Sequence, residues 1–279
     1  MDEIKKFFKF VFDVIYGVVR DSVSAYSAHA AFFVTISFIP FIMLLISTLR
    51  FLPFTKQELL EQAIVVFPQA AQGFVASFIK EAYTKSGAAI ISITAVSTLW
   101  AASIGVFSVV KGISKVYCTE ETRNYFVVRF MSIIYTVILQ LLLVLCLGIF
   151  VFGNAVSETI EQTIPAAFAA TLIVLSVRIL GGFIVLSFIF SVLFTVVPNR
   201  KGRFFVQLPG AFVSAAGWIV FSTLFSFYYE NIANYSYIYG SLSALVFFMI
   251  WLYVCIYILF IGAEINKNIE DRLILKGSV

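Results

Sequence analysis

Residues 235–267 read YSYIYGSLSALVFFMIWLYVCIYILFIGAEINK. From Gly240 to Ala263 there is no charged side chain, which is about enough apolar chain for a helix to cross the roughly 30 Å hydrocarbon core of a bilayer. Tyr235, Tyr237 and Tyr239 crowd one end, where amphipathic rings favour the headgroup level, and Glu264, Asn266 and Lys267 close the other. The stretch reads as a transmembrane helix with both interfaces visible.

Composition points the same way. The chain is 61% hydrophobic and 12% charged, with a mean hydropathy of +1.02, where a soluble domain carries about 25% charged residues. So few charges cannot build the surface of a soluble protein of 279 residues. The net charge of +4 does not argue for nucleic acid, because in membranes the placement of Lys and Arg matters more than their sum. Cys118, Cys146 and Cys255 are far apart, which suggests neither disulfides nor a metal cluster. The basic N-terminus, its apolar residues interrupted by charges, does not read as a cleavable signal peptide.

Outward from that helix, the sequence predicts an all-α polytopic membrane protein. Residues 1–29 form an amphipathic helix, with Ile4, Phe7, Phe8, Val11, Val14, Ile15, Val18 and Val19 near helical spacing and Lys5, Lys6, Lys9, Asp13 and Arg20 between them. Two placements fit it: in the headgroup plane, or packed under the bundle. A membrane domain over 30–266 holds six transmembrane helices at about 30–49, 88–110, 130–152, 177–197, 205–229 and 240–263, and 267–279 is a tail. Pro40 lies inside the first span and predicts a kink. His29, the only histidine, reads as a packed side chain rather than a catalyst. Residues 50–87 predict two short helices in an outer loop, forming a cap or dipping into the membrane, with Glu58, Glu61, Gln69 and Gln72 favouring the cap.

Small residues mark close helix crossings: Ala101 and Gly105 in the second span, and Gly210, Ser214 and Gly217 in the fifth. Between Pro165 and Pro198 the only charge is Arg178, and a helix filling that interval would be about 50 Å long. Arg178 therefore either snorkels at the outer interface or, on a tilted helix, sits deeper and needs an anionic partner. Lys and Arg number fourteen on the side of the termini and five on the other, which predicts both termini in the cytoplasm.

No Asp or Glu falls in the middle of a predicted span, which disfavours a carboxylate-driven pump. The interior polar groups are mostly hydroxyls and amides, among them Ser37, Ser103, Gln140, Ser222 and Thr223, which by default bond to backbone or bridge helices, the alternative being that they line a moderately polar cavity. GxxxxGK[ST], HExxH and CxxC motifs are absent, and one histidine cannot supply a histidine-clustered metal site. No enzyme and no cofactor are expected.

Five segments together resemble the YihY/BrkB family of bacterial inner-membrane proteins. They are FFVTISFIPFIMLLI (32–46), LWAASIGVFSVVKGISKVY (99–117), VVPNRK (196–201), LPGAFVSAAGWIVFSTLFSFY (208–228) and the stretch 235–266. The resemblance implies a protein of the bacterial cytoplasmic (inner) membrane, with six membrane helices and both ends on the cytoplasmic side. It also implies links to serum resistance, whence the virulence-factor name, and to export of lipid or lipopolysaccharide-like substrates. Many members carry a ribonuclease BN label, which the residue chemistry here does not support.

The function expected is transport of an amphipathic or lipidic substrate, with membrane lipids as partners and no nucleic acid; a homo-oligomer is left open. Lys111, Lys115, Arg129 and Arg178 are the candidate headgroup contacts along its path, the alternative being ordinary positive-inside anchoring. Glu264 is expected to pair with Lys111 or Arg200. The rival function is a non-transporting envelope scaffold.

Overall fold

The computed structural model describes residues 2–49, 57, 60, 76, 79–80, 88–119, 122–163, 167–200, 202–231 and 241–275. Seven long helices follow one another: α1 (Asp2–Arg20), α2 (Val23–Leu49), α3 (Ala88–Val116), α4 (Tyr125–Thr163), α5 (Ala167–Val196), α6 (Phe204–Asn231) and α7 (Ser241–Leu275). Helices are what a bilayer allows, because each then satisfies its own backbone N–H and C=O groups without water. Among the described residues, five are long and apolar enough to cross a membrane, in α2, α3, α4, α6 and α7, and α5 adds the shorter apolar run Leu180–Val196. Nearly all of the outer loop 50–87 lies outside the described residues.

The first helix ends earlier than the sequence suggests. Asp21 and Ser22 break the chain, Ser22 taking a φ of 52°, and α2 begins at Val23 with the Ser22 carbonyl accepting from the N–H groups of Ala25 and Tyr26. Asp21 and Ser22 are residues that favour helix boundaries, since their side chains compete for local backbone bonds. α2 then runs unbroken through Pro40. At the other terminus α7 continues through Lys267 to Leu275, so most of the expected tail is helical.

In space the helices lie in the order α4, α3, α2, α7, α6, α5, with α1 against α7 and α2. Close approach between neighbours depends on small side chains. A Cβ on Gly210 of α6 would stand 2.0 Å from the carbonyl oxygen of Gly262 on α7, and one on Gly217 would stand 2.8 Å from Ile258. Gly105 of α3 likewise abuts Ser37 and Val34 of α2. Where lipid already solvates apolar surface, helices associate through such backbone contact and packing. Beside the α6–α7 crossing, Trp218 and Trp251 meet edge-on with ring centroids 5.8 Å apart, and the Trp251 indole N–H donates to Ser222.

Candidate functional site

On α3, Trp100, Ser103, Phe107 and Lys111 recur every three or four residues and therefore share one face. α4 runs antiparallel beside it, with Tyr125 edge-on to Phe107 at 5.7 Å between centroids. One turn further along α4 comes Arg129, only 3% exposed. Its Nη2 donates to the Trp100 carbonyl at 2.7 Å, and its guanidinium carbon lies 4.6 Å from the Trp100 ring centroid and 5.5 Å from that of Phe107. Lys111 places its ammonium 4.5 Å over the same Phe107 ring. Two of the expected headgroup contacts thus converge on one aromatic side chain.

Lys115, one helical turn beyond Lys111 and exposed as Lys111 is, is not part of this group. Arg178 belongs to α5, and its side chain lies outside the described residues. Among the described residues no carboxylate reaches Arg129 or Lys111, and Arg129 Nε is buried without a hydrogen-bond partner. Ser37, Ser103, Ser132, Thr136 and Thr223 each donate to a carbonyl of their own helix, whereas the Ser187 hydroxyl is buried without a hydrogen-bond partner. Gln140 bridges from α4 to the Leu44 carbonyl and Thr48 hydroxyl of α2.

A second polar group sits where α7 passes under α1 and the end of α3. Lys267 Nζ stands 2.5 Å from Asp21 Oδ2, 3.1 Å from Cys118 Sγ and 3.6 Å from Glu264 Oε2. Glu264 is 1% exposed, and its other oxygen accepts from the Asn268 amide at 3.1 Å. The expected pairing of Glu264 with Lys111 or Arg200 is therefore corrected: its cation is Lys267, one turn along its own helix. Lys111 turns to Phe107 and Arg200 pairs with Glu270. Burial works against the charge of Asp21, yet hydrogen bonds from Arg20 and Lys267 and their positive charge prevail. They hold its carboxyl down from 3.8 to about 2. Arg20 is held correspondingly above the usual arginine range by its hydrogen bonds to Asp21.

Beside this group a buried network ties α3, α6 and α7. The Tyr117 hydroxyl donates to Gln207 Oε1 at 2.7 Å, and Gln207 Nε2 donates to Glu270. Asn266 takes the Gly210 N–H at 2.7 Å and gives its amide to the Gln207 carbonyl at 2.8 Å. The Arg200 guanidinium covers the Tyr117 ring at 4.0 Å. Burial pushes the Tyr117 phenol up from its ordinary value. Asp21 and Gln207 carry these networks without being singled out in the sequence, where Asn266 reads only as an interface residue and Cys118 only as an unpaired cysteine. The Asp21–Ser22 boundary signal could have pointed to the first of them. Among the described residues no group of three His, Cys, Asp or Glu side chains could hold a metal ion.

The family described as virulence factor BrkB matches residues 14–277, and every residue of these groups lies within that interval. The chain belongs to the BrkB family. A ribonuclease-like protein of Bacillus subtilis (strain 168), YfkH, is 30% identical over 88% of this chain and 90% of its own. A UPF0761 membrane protein of Pseudoalteromonas atlantica is 26% identical over 90% of this chain and 82% of its own. Another, from Aliivibrio fischeri (strain ATCC 700601 / ES114), is 29% identical over 91% and 81%. No solved structure matches the chain. This BrkB-family chain is accordingly a multi-pass membrane protein whose two polar groups lie within the family's matched region.

Proposed function

We propose that this BrkB-family protein is a transporter of an amphipathic or lipidic substrate with an anionic headgroup, and that it is not an enzyme. The observation that carries the reading is Arg129. It is a buried cation inside a membrane-spanning helix that no carboxylate neutralises among the described residues. An ionisable side chain in such a place is costly, and the default reading is a functional one with an anionic partner. The buried carboxylates of the second group, by contrast, are held by Lys267, Arg20 and Asn268, which suits structure better than chemistry.

In this reading α5 is the sixth span. Its thirty residues correspond to about 45 Å of helix, enough to cross the core with a tilt. Both termini lie in the cytoplasm, as the excess of Lys and Arg on that side requires, so Lys111 and Arg129 serve the inner leaflet of a bacterial cytoplasmic membrane. The ribonuclease-like name of the Bacillus relative does not carry over here, because the chain's one histidine cannot build an imidazole-rich metal centre.

One observation favours the scaffold reading as a second: α1 leaves Ile4, Phe8, Phe12, Ile15 and Val19 exposed on one side, a surface that could seat a partner. Translocation of fluorescent phosphatidylglycerol in proteoliposomes separates the two. Movement above that in empty liposomes, slowed in Arg129→Gln with the folded protein retained, is expected for transport. Movement no faster than in empty liposomes for anionic and neutral lipids alike would sink transport and leave the scaffold.

A further inference from the structure

We infer that Lys111 and Arg129 form a site for the phosphate of an anionic membrane lipid, reached sideways from the bilayer along the seam between α3 and α4. The inference rests on the lipidic-substrate reading above and goes beyond it in naming the headgroup chemistry and the route.

Charge is the first argument. Two other basic side chains drawn into the bundle have a carboxylate: Lys267 has Asp21, and Arg200 has Glu270. Arg129 has a neutral carbonyl, that of Trp100, which already accepts from the Ser103 hydroxyl at 2.8 Å. Its Nε is left without an acceptor. A guanidinium presents its N–H groups as a fork that suits phosphate oxygens, and such charge-assisted bonds are roughly twice as strong as neutral ones. The faces of Trp100 and Phe107 supply cation–π attraction and leave the positive charge in place.

Direction is the second. Cations near the end of a spanning helix ordinarily snorkel outward to water. The Tyr125–Phe107 contact sets the register of the two antiparallel helices, so Arg129 stands about level with Ser103. From there its guanidinium reaches to the carbonyl of Trp100, further from the α3 terminus. Lys111 leans the same way, back one turn over Phe107. Both charges therefore point toward the membrane interior, where an anion could meet them only if its own body were lipidic.

The surroundings are the third. Phe126 and Phe130 on α4 are exposed, and Trp100 is 47% exposed beside Arg129, so acyl chains have apolar surface to lie on. A free phosphate would have to shed its water and pass that surface. The Trp100 ring is the cover that an arriving phosphate displaces from the guanidinium.

Equilibrium binding to the full-length protein in a non-ionic detergent tests this, with intrinsic tryptophan fluorescence and native mass spectrometry as readouts. The probes are phosphatidic acid, phosphatidylglycerol, phosphatidylcholine and glycerol 3-phosphate. The two anionic lipids are expected to bind at least tenfold tighter than phosphatidylcholine and to change the fluorescence. Arg129→Gln should remove that preference, Lys111→Gln should reduce it, and exposed Lys115→Gln should leave it intact. Trp100→Phe should abolish the fluorescence change while the mass-spectrometric binding persists. That variant keeps the test open should Arg129→Gln fail to fold, because a fluorescence change that survives it would overturn the site.

Equal binding of all three lipids, or an unaltered preference in Arg129→Gln, would also overturn it. Tight binding of glycerol 3-phosphate would overturn the lipidic route and leave a soluble phosphate site. Binding without translocation would sink the transport reading and keep this site; translocation unaffected by Arg129→Gln with no lipid preference would do the reverse.

Discussion

Lys267 on α7 and Asp21 at the α1–α2 junction stand 2.5 Å apart, although 246 residues separate them in the chain. The pair fastens α7 to the junction of α1 and α2, and Lys267 is also the cation of Glu264, 3.6 Å away. Replacing Lys267 with Met therefore orphans a buried carboxylate, a change that costs about 3–5 kcal/mol when one partner of a buried pair is lost. Asp21→Asn should cost less, since Lys267 keeps Glu264 and the half-exposed Arg20 can turn to water. Thermal unfolding in detergent, followed by helical circular dichroism, is expected to rank Lys267→Met below Asp21→Asn. Adding Glu264→Gln to Lys267→Met should recover part of the loss. The opposite ranking would show that Glu264 does not depend on Lys267.

The same aspartate gives a pH dependence with a definite sign. Its carboxyl is held at about 2 in the folded protein, against 3.8 ordinarily, so the unfolded chain binds the proton more readily. The stabilisation is complete above about pH 4 and is lost as pH falls toward 2, amounting to about 2 kcal/mol from a shift of this size. The melting temperature of the wild type should fall through that window more steeply than that of Asp21→Asn. Parallel curves for the two proteins would remove Asp21 from the acid response.

Gly210 and Gly181 make a matched pair of opposite sign. A methyl at Gly210 would meet the carbonyl oxygen of Gly262 at 2.0 Å and the Asn266 side chain at 2.6 Å. Backbone cannot step aside there without parting α6 from α7, so Gly210→Ala should destabilise by at least the 1–3 kcal/mol usual for overpacking. At Gly181 nothing lies within 4 Å of the added carbon, and alanine is the better helix former by roughly 0.5–1 kcal/mol. Gly181→Ala should leave the melting temperature unchanged or raised. A fall as large as that for Gly210→Ala would place a neighbour against α5 at this point.

These contrasts show what was legible in the sequence. Gly210, Ser214 and Gly217 could be read directly, because in a membrane a row of small residues has close helix approach as its main packing use. Helix positions followed from apolar length, and Arg129 and Lys111 from their charge. Partners were harder. By charge and side of the membrane alone, Glu264 suits Lys111 or Arg200; its actual cation depends on which helices meet and where each side chain points. That α3 and α4 share an aromatic seam at Phe107 depends on the register fixed by Tyr125, which no local pattern in either helix announces. The Asp21–Ser22 break was legible as a helix-boundary signal, but the amphipathic period on either side of it masked the interruption.

Gly17 and Glu264 test the docking of α1 most directly. A Cβ on Gly17 would stand 1.9 Å from Glu264 Oε1 and 2.5 Å from its Cδ. The far end of a glutamate can usually swing away, but this one is enclosed, bonded to Asn268 and drawn to Lys267. Moving it breaks those contacts, so Gly17→Ala should loosen α1, lower the melting temperature and speed proteolytic removal of the N-terminal residues. Glu264→Ala vacates the space the new methyl needs, while Lys267 keeps Asp21. The double variant should therefore be less destabilised than the two single changes added together, a coupling expected for residues in contact. Strict additivity would mean that α1 does not seat on Glu264, and the junction would then rest on Asp21 and on the Asp13–Arg272 pair at 2.8 Å.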